Sequence, residues 1–222
     1  MDLQQYYEQN KNRLRNSNEY PKLLCSHLFK KFNMKSGDTF LDVGCGVGIQ
    51  CNNFADLGLD VYGVDDIELE DTNNFTYIRA ELAKTRIPFS DNCFDVVFTK
   101  SVIEHIVDPE VFLKECKRVL KEGGQLIVLT PDWNTQSDVF YDDPTHVHPY
   151  TNTSLKYILE LYDFKSVTSE IFTQLPIVWK YSFLNLFTFL SELIPFSIYK
   201  FARKNKNFRF AREKMILARA FK

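Results

Sequence analysis

The 222 residues hold no long unbroken apolar run, no Cys-x-x-Cys pair, almost no net charge and no internal repeat. Each absence removes a class of protein. The most apolar stretch, Phe183 to Phe201, is interrupted by Glu192 and Pro195, which makes it a poor membrane span. The first residues, MDLQQYYEQNKNRLR, are polar and carry no apolar core of the kind a secretory signal needs. Five cysteines, Cys25, Cys45, Cys51, Cys93 and Cys116, make an odd count without metal-ligand spacing. That argues against a disulfide framework or a zinc site and for a reducing, cytoplasmic compartment. The formal charge of −2 gives the chain no overall attraction to nucleic acid.

The charge is unevenly distributed. From Pro176 onward ten Lys/Arg face only Glu192 and Glu213, leaving −10 on the first 175 residues. Such asymmetry suggests that the basic end meets something anionic, or that it is a solvated basic face. With 45% apolar and 25% charged residues, the composition is that of a soluble globular protein. The length suits one α/β domain.

Short apolar runs alternate with helical patterns. Strands are expected at 39–43, 60–64, 75–79, 93–99, 125–130, 165–172 and 214–221. Helices are expected at 3–33, 47–57 and 109–120, the last entered through Asp108-Pro109 as N-cap and first helical position. Strands that are apolar throughout and separated by helices imply a parallel sheet covered on both faces.

LDVGCGVG, residues 41–48, is the strongest local feature. Glycines after a strand and before a helix permit positive φ and bring backbone N–H groups close to a ligand. The spacing Gly-x-Gly-x-Gly departs from the dinucleotide fingerprint Gly-x-Gly-x-x-Gly. Asp42, two residues before the first glycine, would repel a pyrophosphate but suits an ammonium group.

This motif resembles the first motif of class I S-adenosylmethionine-dependent methyltransferases, and the likeness continues. VYGVD (61–65) resembles the end of their second strand, IRAELAKTRIPFSDNCFDVV (78–97) their third and fourth strands, and SVIEHIVDPEVFLKECKRVLKEGGQLIVLTP (101–131) the loop, helix and fifth strand that follow. The resemblance is strong over 38–131. It implies a Rossmann-like α/β domain with a seven-stranded, mostly parallel sheet, an antiparallel last strand and helices on both faces. It implies S-adenosylmethionine as methyl donor and S-adenosylhomocysteine as product. The donor-contacting set would be Asp42, Gly44, Cys45, Gly46, Gly48, Asp65, Asp66, Glu81, Leu82, Lys100 and Ser101. Asp65 would grip the ribose hydroxyls, since a carboxylate accepts two hydrogen bonds side by side. Glu81 stands where the family usually has Asp.

On the acceptor side, Thr130-Pro131-Asp132-Trp133 lacks the second proline of the Asn-Pro-Pro-Tyr motif of base-methylating enzymes, which speaks against a nucleic-acid substrate. DDPTHVHPYT (142–151) resembles a segment of small bacterial methyltransferases linked to surface-glycan O-methylation. In an extended chain His146 and His148 point the same way. His146 is the expected general base, with Asp143 as orienting partner and His148 and His105 as further candidates. Each histidine has a plain alternative: packing on the core for His146 and His148, helix capping for His105. Asp142, Asp143, His146 and His148 include metal-ligating types, but without strict spacing no metal is expected.

The layout is one domain, 1–222: a helical cap over 1–36, in which Tyr6 and Tyr7 fall where the family covers the donor, a core over 37–175, a helical insertion over 176–212 and a last strand over 213–222. The insertion mixes Trp179, Phe183, Phe187, Phe189 and Phe201 with Arg203, Lys204, Lys206, Arg209 and Arg212. It is either a lid touching an anionic membrane surface, which would make the protein peripheral to a membrane's inner face, or a packed cap or dimer contact. The leading expectation is O-methylation of a sugar hydroxyl in a glycan or glycolipid precursor. The alternatives are a methyltransferase acting on a small lipid or quinone-like phenol, and a non-catalytic S-adenosylmethionine-binding scaffold.

Overall fold

Both side-chain parities are buried along the central strands, so the apolar runs read from the sequence become interior strands of a two-faced sheet. The computed structural model describes residues 19–69, 72, 74–82 and 86–222. The strands are β1 (Thr39–Val43), β2 (Asp60–Asp65), β3 (Thr76–Arg79), β4 (Phe94–Lys100), β5 (Leu120–Pro131), β6 (Lys165–Phe172) and β7 (Met215–Phe221). They form a single sheet in the order β3-β2-β1-β4-β5-β7-β6. Only β7 runs against its neighbours, as the sequence reading expected of the last strand.

The helices are α1 (Glu19–Lys31), α2 (Ile49–Ala55), α3 (Pro109–Val119), the single turn α4 (Trp133–Gln136), α5 (Asn152–Leu161), and four short insertion helices, α6 (Pro176–Lys180), α7 (Asn185–Glu192), α8 (Phe196–Ala202) and α9 (Lys206–Arg212). Alternation along each strand sorts the core into two layers. Leu41, Val97 and Leu126 pack with Phe112, Leu113 and Leu155 on one face. Phe40, Phe98 and Ile127 pack with Leu24, Leu28 and Phe54 on the other.

Strand order fixes where a ligand can sit. The chain moves from β1 outward to β2 and β3, then returns to lay β4 on the other side of β1 and continues to β5. The loops leaving β1 and β4 therefore diverge, opening a crevice at their carboxyl ends.

Some boundaries differ from the sequence reading. The helix placed at 47–57 spans only α2, because Gly48 stands outside it as a left-handed N-cap with φ 75°. The strand expected at 125–130 begins at Leu120, where α3 ends: Leu120 has extended dihedrals and pairs with Phe94 across an irregularity. Gly123-Gly124 thus lies within the strand, with φ 74° at Gly123. Asp108 caps α3 as expected, accepting from the Glu110 N–H at 3.0 Å. Of the cap expected over 1–36, residues 1–18, with Tyr6 and Tyr7, lie outside the described residues.

Phe54 carries much of the second core layer. It is fully buried, with ring centroids 4.3 Å from Phe40 and 5.6 Å from Phe98. Phe54→Ala is expected to lower unfolding stability by about 3–5 kcal/mol, read as a shift in the urea midpoint at unchanged slope.

Candidate active site

The glycine loop after β1 is built by backbone need. Gly44 and Gly48 adopt φ of 82° and 75°, and a Cβ on either would strike Val102 or Phe75 at 2.2 and 2.4 Å. Neither position tolerates a side chain, so the loop lies tight against β2, with the Gly44 N–H bonded to the Val64 carbonyl at 2.8 Å. Asp65, at the end of β2, closes the loop. One carboxylate oxygen accepts the Gly46 N–H at 2.7 Å and the other the Asp66 N–H at 2.8 Å. Burial raises the Asp65 carboxyl to about 6 against the lowering pull of these bonds. Asp42 is deeper still, 2% exposed, with the Cys51 thiol donating to it. Burial lifts Asp42 to about 7. Cys45 is buried within the loop.

The remaining expected donor residues lie at or just beyond the ends of β2, β3 and β4. Asp66 and Glu81 are exposed beyond the ends of β2 and β3, while Leu82 is half-buried against the first core layer. Lys100 ends β4. Burial lowers its ammonium pKa, and the charges of Glu104 and Asp42 oppose that fall. Ser101 turns the chain with φ 56°, a conformation uncommon outside glycine and often found at functional sites. Its N–H reaches the Leu129 carbonyl at 2.8 Å.

That turn delivers a short helical turn, Ile103–His105, to the 140–148 loop. Glu104 is 1% exposed. One of its oxygens accepts the Thr130 hydroxyl at 2.8 Å, the other has no hydrogen-bond partner, and burial raises the carboxyl to about 7. The Glu104 carbonyl accepts the N–H groups of Val147 and His148 at 2.8 and 3.0 Å, which seats the 140–148 loop over it. One ligating atom from each of Glu104, His105 and His146 lies within 4.8 Å of the others. The two imidazole rings are 4.7 Å apart.

The expected acceptor residues are regrouped by this geometry. His146 does not take Asp143 as its partner; its Nδ1 lies 2.6 Å from the Phe140 carbonyl. Asp143 instead accepts from the Thr145 hydroxyl at 2.6 Å, and that hydroxyl sits 2.9 Å from His105 Nδ1. His148 is engaged elsewhere: its Nε2 is 3.1 Å from the Val107 carbonyl. Asp142 is drawn off by Arg203, at 2.9 Å. Burial lowers the His105 pKa, aided by the neighbouring His146, so its neutral form is favoured. Glu104, Thr130 and Thr145 were not among the sequence candidates. Glu104 had one visible signal, an acid between Ile103 and Ile106, where burial is the rule.

Comparison with known proteins agrees with this architecture. Residues 41–128 match the model of a methyltransferase domain family. A ubiquinone biosynthesis O-methyltransferase of Bradyrhizobium sp. is 34% identical over 119 residues, covering 49% of this chain and 46% of the relative. One of the same description from Paraburkholderia phymatum is 34% identical over 117 residues, covering 47% and 49%. The chain spans about half the length of the curated relatives it matches. Among solved structures, a S-adenosylmethionine-dependent methyltransferase of Archaeoglobus fulgidus superposes with TM-score 0.65 at 22% identity, over 98% of this chain and 100% of that one. Phosphoethanolamine N-methyltransferase 2 of Haemonchus contortus, solved with S-adenosyl-L-methionine, gives 0.64 at 22% identity, over 90% and 52%. These likenesses establish the Rossmann-like class I methyltransferase fold.

The buried carboxyls make stability depend on pH. Asp42 titrates near 7 in the folded chain and near 4 when unfolded, so the native state holds a proton that the unfolded state releases. Stability contributed by the protonated group is present below about pH 4 and falls as pH rises toward 7. Asp42→Asn is expected to flatten this decline, read as a smaller difference between urea midpoints at about pH 5 and pH 7.5 than in the wild type.

Proposed function

Starting from residues 41–128 as a methyltransferase domain, we propose that the protein transfers the methyl group of S-adenosylmethionine to an oxygen of a small acceptor, leaving S-adenosylhomocysteine. The observation that carries this is that an Asp42–glycine loop–Asp65 pocket and a Glu104–His105–His146 cluster both lie at the carboxyl ends of the central strands, after β1 and β2 and after β4. The pocket fits an amino acid joined to a nucleoside. The loop at Gly44 and Gly48 has no room for side chains. Asp65 uses two of about four lone-pair sites on backbone N–H groups and keeps the others for ribose hydroxyls. Asp42 would face the ammonium group.

When bound, S-adenosylmethionine supplies an already electrophilic methyl group, so the protein's tasks are alignment and proton removal. Alignment in a closed site is worth about 7–11 kcal/mol. An attacking hydroxyl must lose its proton. In both imidazoles Nδ1 is engaged, by the Phe140 carbonyl in His146 and by Thr145 in His105, which leaves Nε2 available to the acceptor.

For the acceptor, a quinone-like phenol has more support than the sugar hydroxyl. The relatives over the matched segment are described as ubiquinone biosynthesis O-methyltransferases. The insertion also favours a lipid. Helix α7 is inverted: it buries Thr188 and Ser191 and exposes Leu186, Phe187, Phe189 and Leu190, while Phe183 and Phe201 nearby are 73% and 78% exposed. Lys200, Lys204 and Lys206 are exposed on the same insertion. Aromatic side chains beside lysines match an anionic lipid surface. Arg203 ties α8 to Asp142, at the start of the acceptor loop. No described helix is long and apolar enough to cross a membrane; the contact would be peripheral.

Two measurements test this reading. In calorimetry, Asp65→Ala is expected to weaken binding of S-adenosylmethionine and S-adenosylhomocysteine by about a hundredfold, ~3 kcal/mol for two charge-assisted hydrogen bonds. A folded wild type that binds neither would sink the donor site. In flotation with vesicles containing phosphatidylglycerol at low salt, the wild type is expected to float and Phe183→Glu/Phe201→Glu to stay at the bottom. A wild type that does not float would remove the membrane contact.

A further inference from the structure

We propose that Glu104, His105 and His146 form a binding site for one divalent transition-metal ion, with its open positions turned toward the acceptor. Three features of the structure carry this.

The first is the donor set. Two imidazoles and one carboxylate each bring a ligating atom within 4.8 Å of the others. Protein ligands stand about 2.0–2.2 Å from a zinc ion, so a rotamer-scale contraction brings all three onto one centre. Two nitrogens and one oxygen suit zinc, iron or manganese, whereas calcium and magnesium favour all-oxygen shells. Three protein ligands with open positions are the pattern of sites that act on a bound molecule, while structural sites are closed by four.

The second is the hydrogen bonding behind the ligands, which leaves one free atom on each. The Phe140 carbonyl can only accept, so His146 Nδ1 at 2.6 Å carries the hydrogen and Nε2 keeps its lone pair. Thr145 donates its hydroxyl hydrogen to Asp143 at 2.6 Å, so it accepts from His105 Nδ1 at 2.9 Å and again frees Nε2. Ligating histidines almost always have the second ring nitrogen tied to a carbonyl or a carboxylate relay. Here one histidine has each kind.

The third is the unpartnered oxygen of Glu104. Its neighbour on the same carboxylate is held by Thr130, yet this oxygen is buried with no hydrogen-bond partner. A buried polar atom left unpaired is costly and calls for an explanation. A cation shared with the two imidazoles supplies one. Thr130 and Thr145 are positioning residues in this arrangement, and neither touches the ion.

The site's role rests on the O-methyl transfer proposed above: with an ion bound, both Nε2 atoms act as ligands rather than as bases, and the ion itself lowers the pKa of a hydroxyl that ligates it, whose proton then passes to solvent. Ion binding itself does not depend on that reading. The test uses the full chain, freed of metal by chelator, dialysed against zinc or manganese and assayed for bound metal by mass spectrometry and calorimetry. One equivalent is expected in the wild type and in His148→Ala, which lies outside the cluster. Glu104→Gln, which keeps the shape and the Thr130 contact, and His146→Ala are expected to lose affinity more than about tenfold, and Thr145→Ala about tenfold. Melting curves by circular dichroism report whether each variant is folded. The proposal is overturned if the folded wild type binds no metal, or if Glu104→Gln and His146→Ala bind it as the wild type does. Metal binding by a protein that fails to bind S-adenosylhomocysteine would uphold this site while removing the donor reading. Methyl transfer by a wild type that binds no metal would do the reverse.

Discussion

Three carboxylates, Asp42, Asp65 and Glu104, are buried along the carboxyl edge of one sheet, and the cost of holding them there organises everything around the crevice. Burying a carboxylate is expensive unless hydrogen bonds or opposite charge offset the lost hydration. Asp65 is offset by the N–H groups of Gly46 and Asp66, and the glycine loop must curl back to supply the first of them. Asp42 and Glu104 share the field of Lys100. The offsets are incomplete, since all three carboxyls stay above their ordinary range. The edge is therefore polarised and short of partners, and in the proposed reading ligands complete it.

The Glu104–His105–His146 cluster follows from the same edge. Ser101 takes a left-handed conformation that swings the Ile103–His105 turn beneath the 140–148 loop. The Glu104 carbonyl then fixes that loop through two N–H groups. One residue thus sets the loop with its backbone and faces the two histidines with its side chain. Loops placed by a rigid sheet hold functional groups more accurately than free segments do.

The insertion obeys a different rule. Its contacts with the domain are apolar where Trp179 meets Phe172 and Phe210 meets Tyr20, and polar around buried Glu213, which accepts from the Tyr199 hydroxyl at 2.7 Å and pairs with Arg203 at 2.5 Å. Lys214 pairs with Glu192 alongside. Trp179 stacks on His27 of α1 at 4.6 Å. On α7 the buried residues are Thr188 and Ser191, so its phenylalanines point outward, and on α8 Tyr199 turns inward while Phe201 faces out. A cap packed through its apolar side would show the opposite pattern.

The order of strands and helices, the glycine loop with Asp42 and Asp65, and the Asp108-Pro109 helix start were all legible in the sequence. They rest on local causes: alternation of apolar residues, glycine's positive φ and capping hydrogen bonds act over a few residues. Neighbourhood across the chain was not legible. His146 and His148 are two apart and looked paired, but the loop is not regularly extended, and Glu104, 42 residues earlier, is the group His146 meets. Asp143 serves His105 through Thr145 for the same reason. The aromatic run of the insertion was visible as composition, yet which of its residues turned inward was not, and Tyr199 does so onto Glu213, more than ten residues beyond. Sequence periodicity records the local rules of each element; the partners of a buried charge are settled only when distant elements pack, because burial is what makes finding a partner necessary.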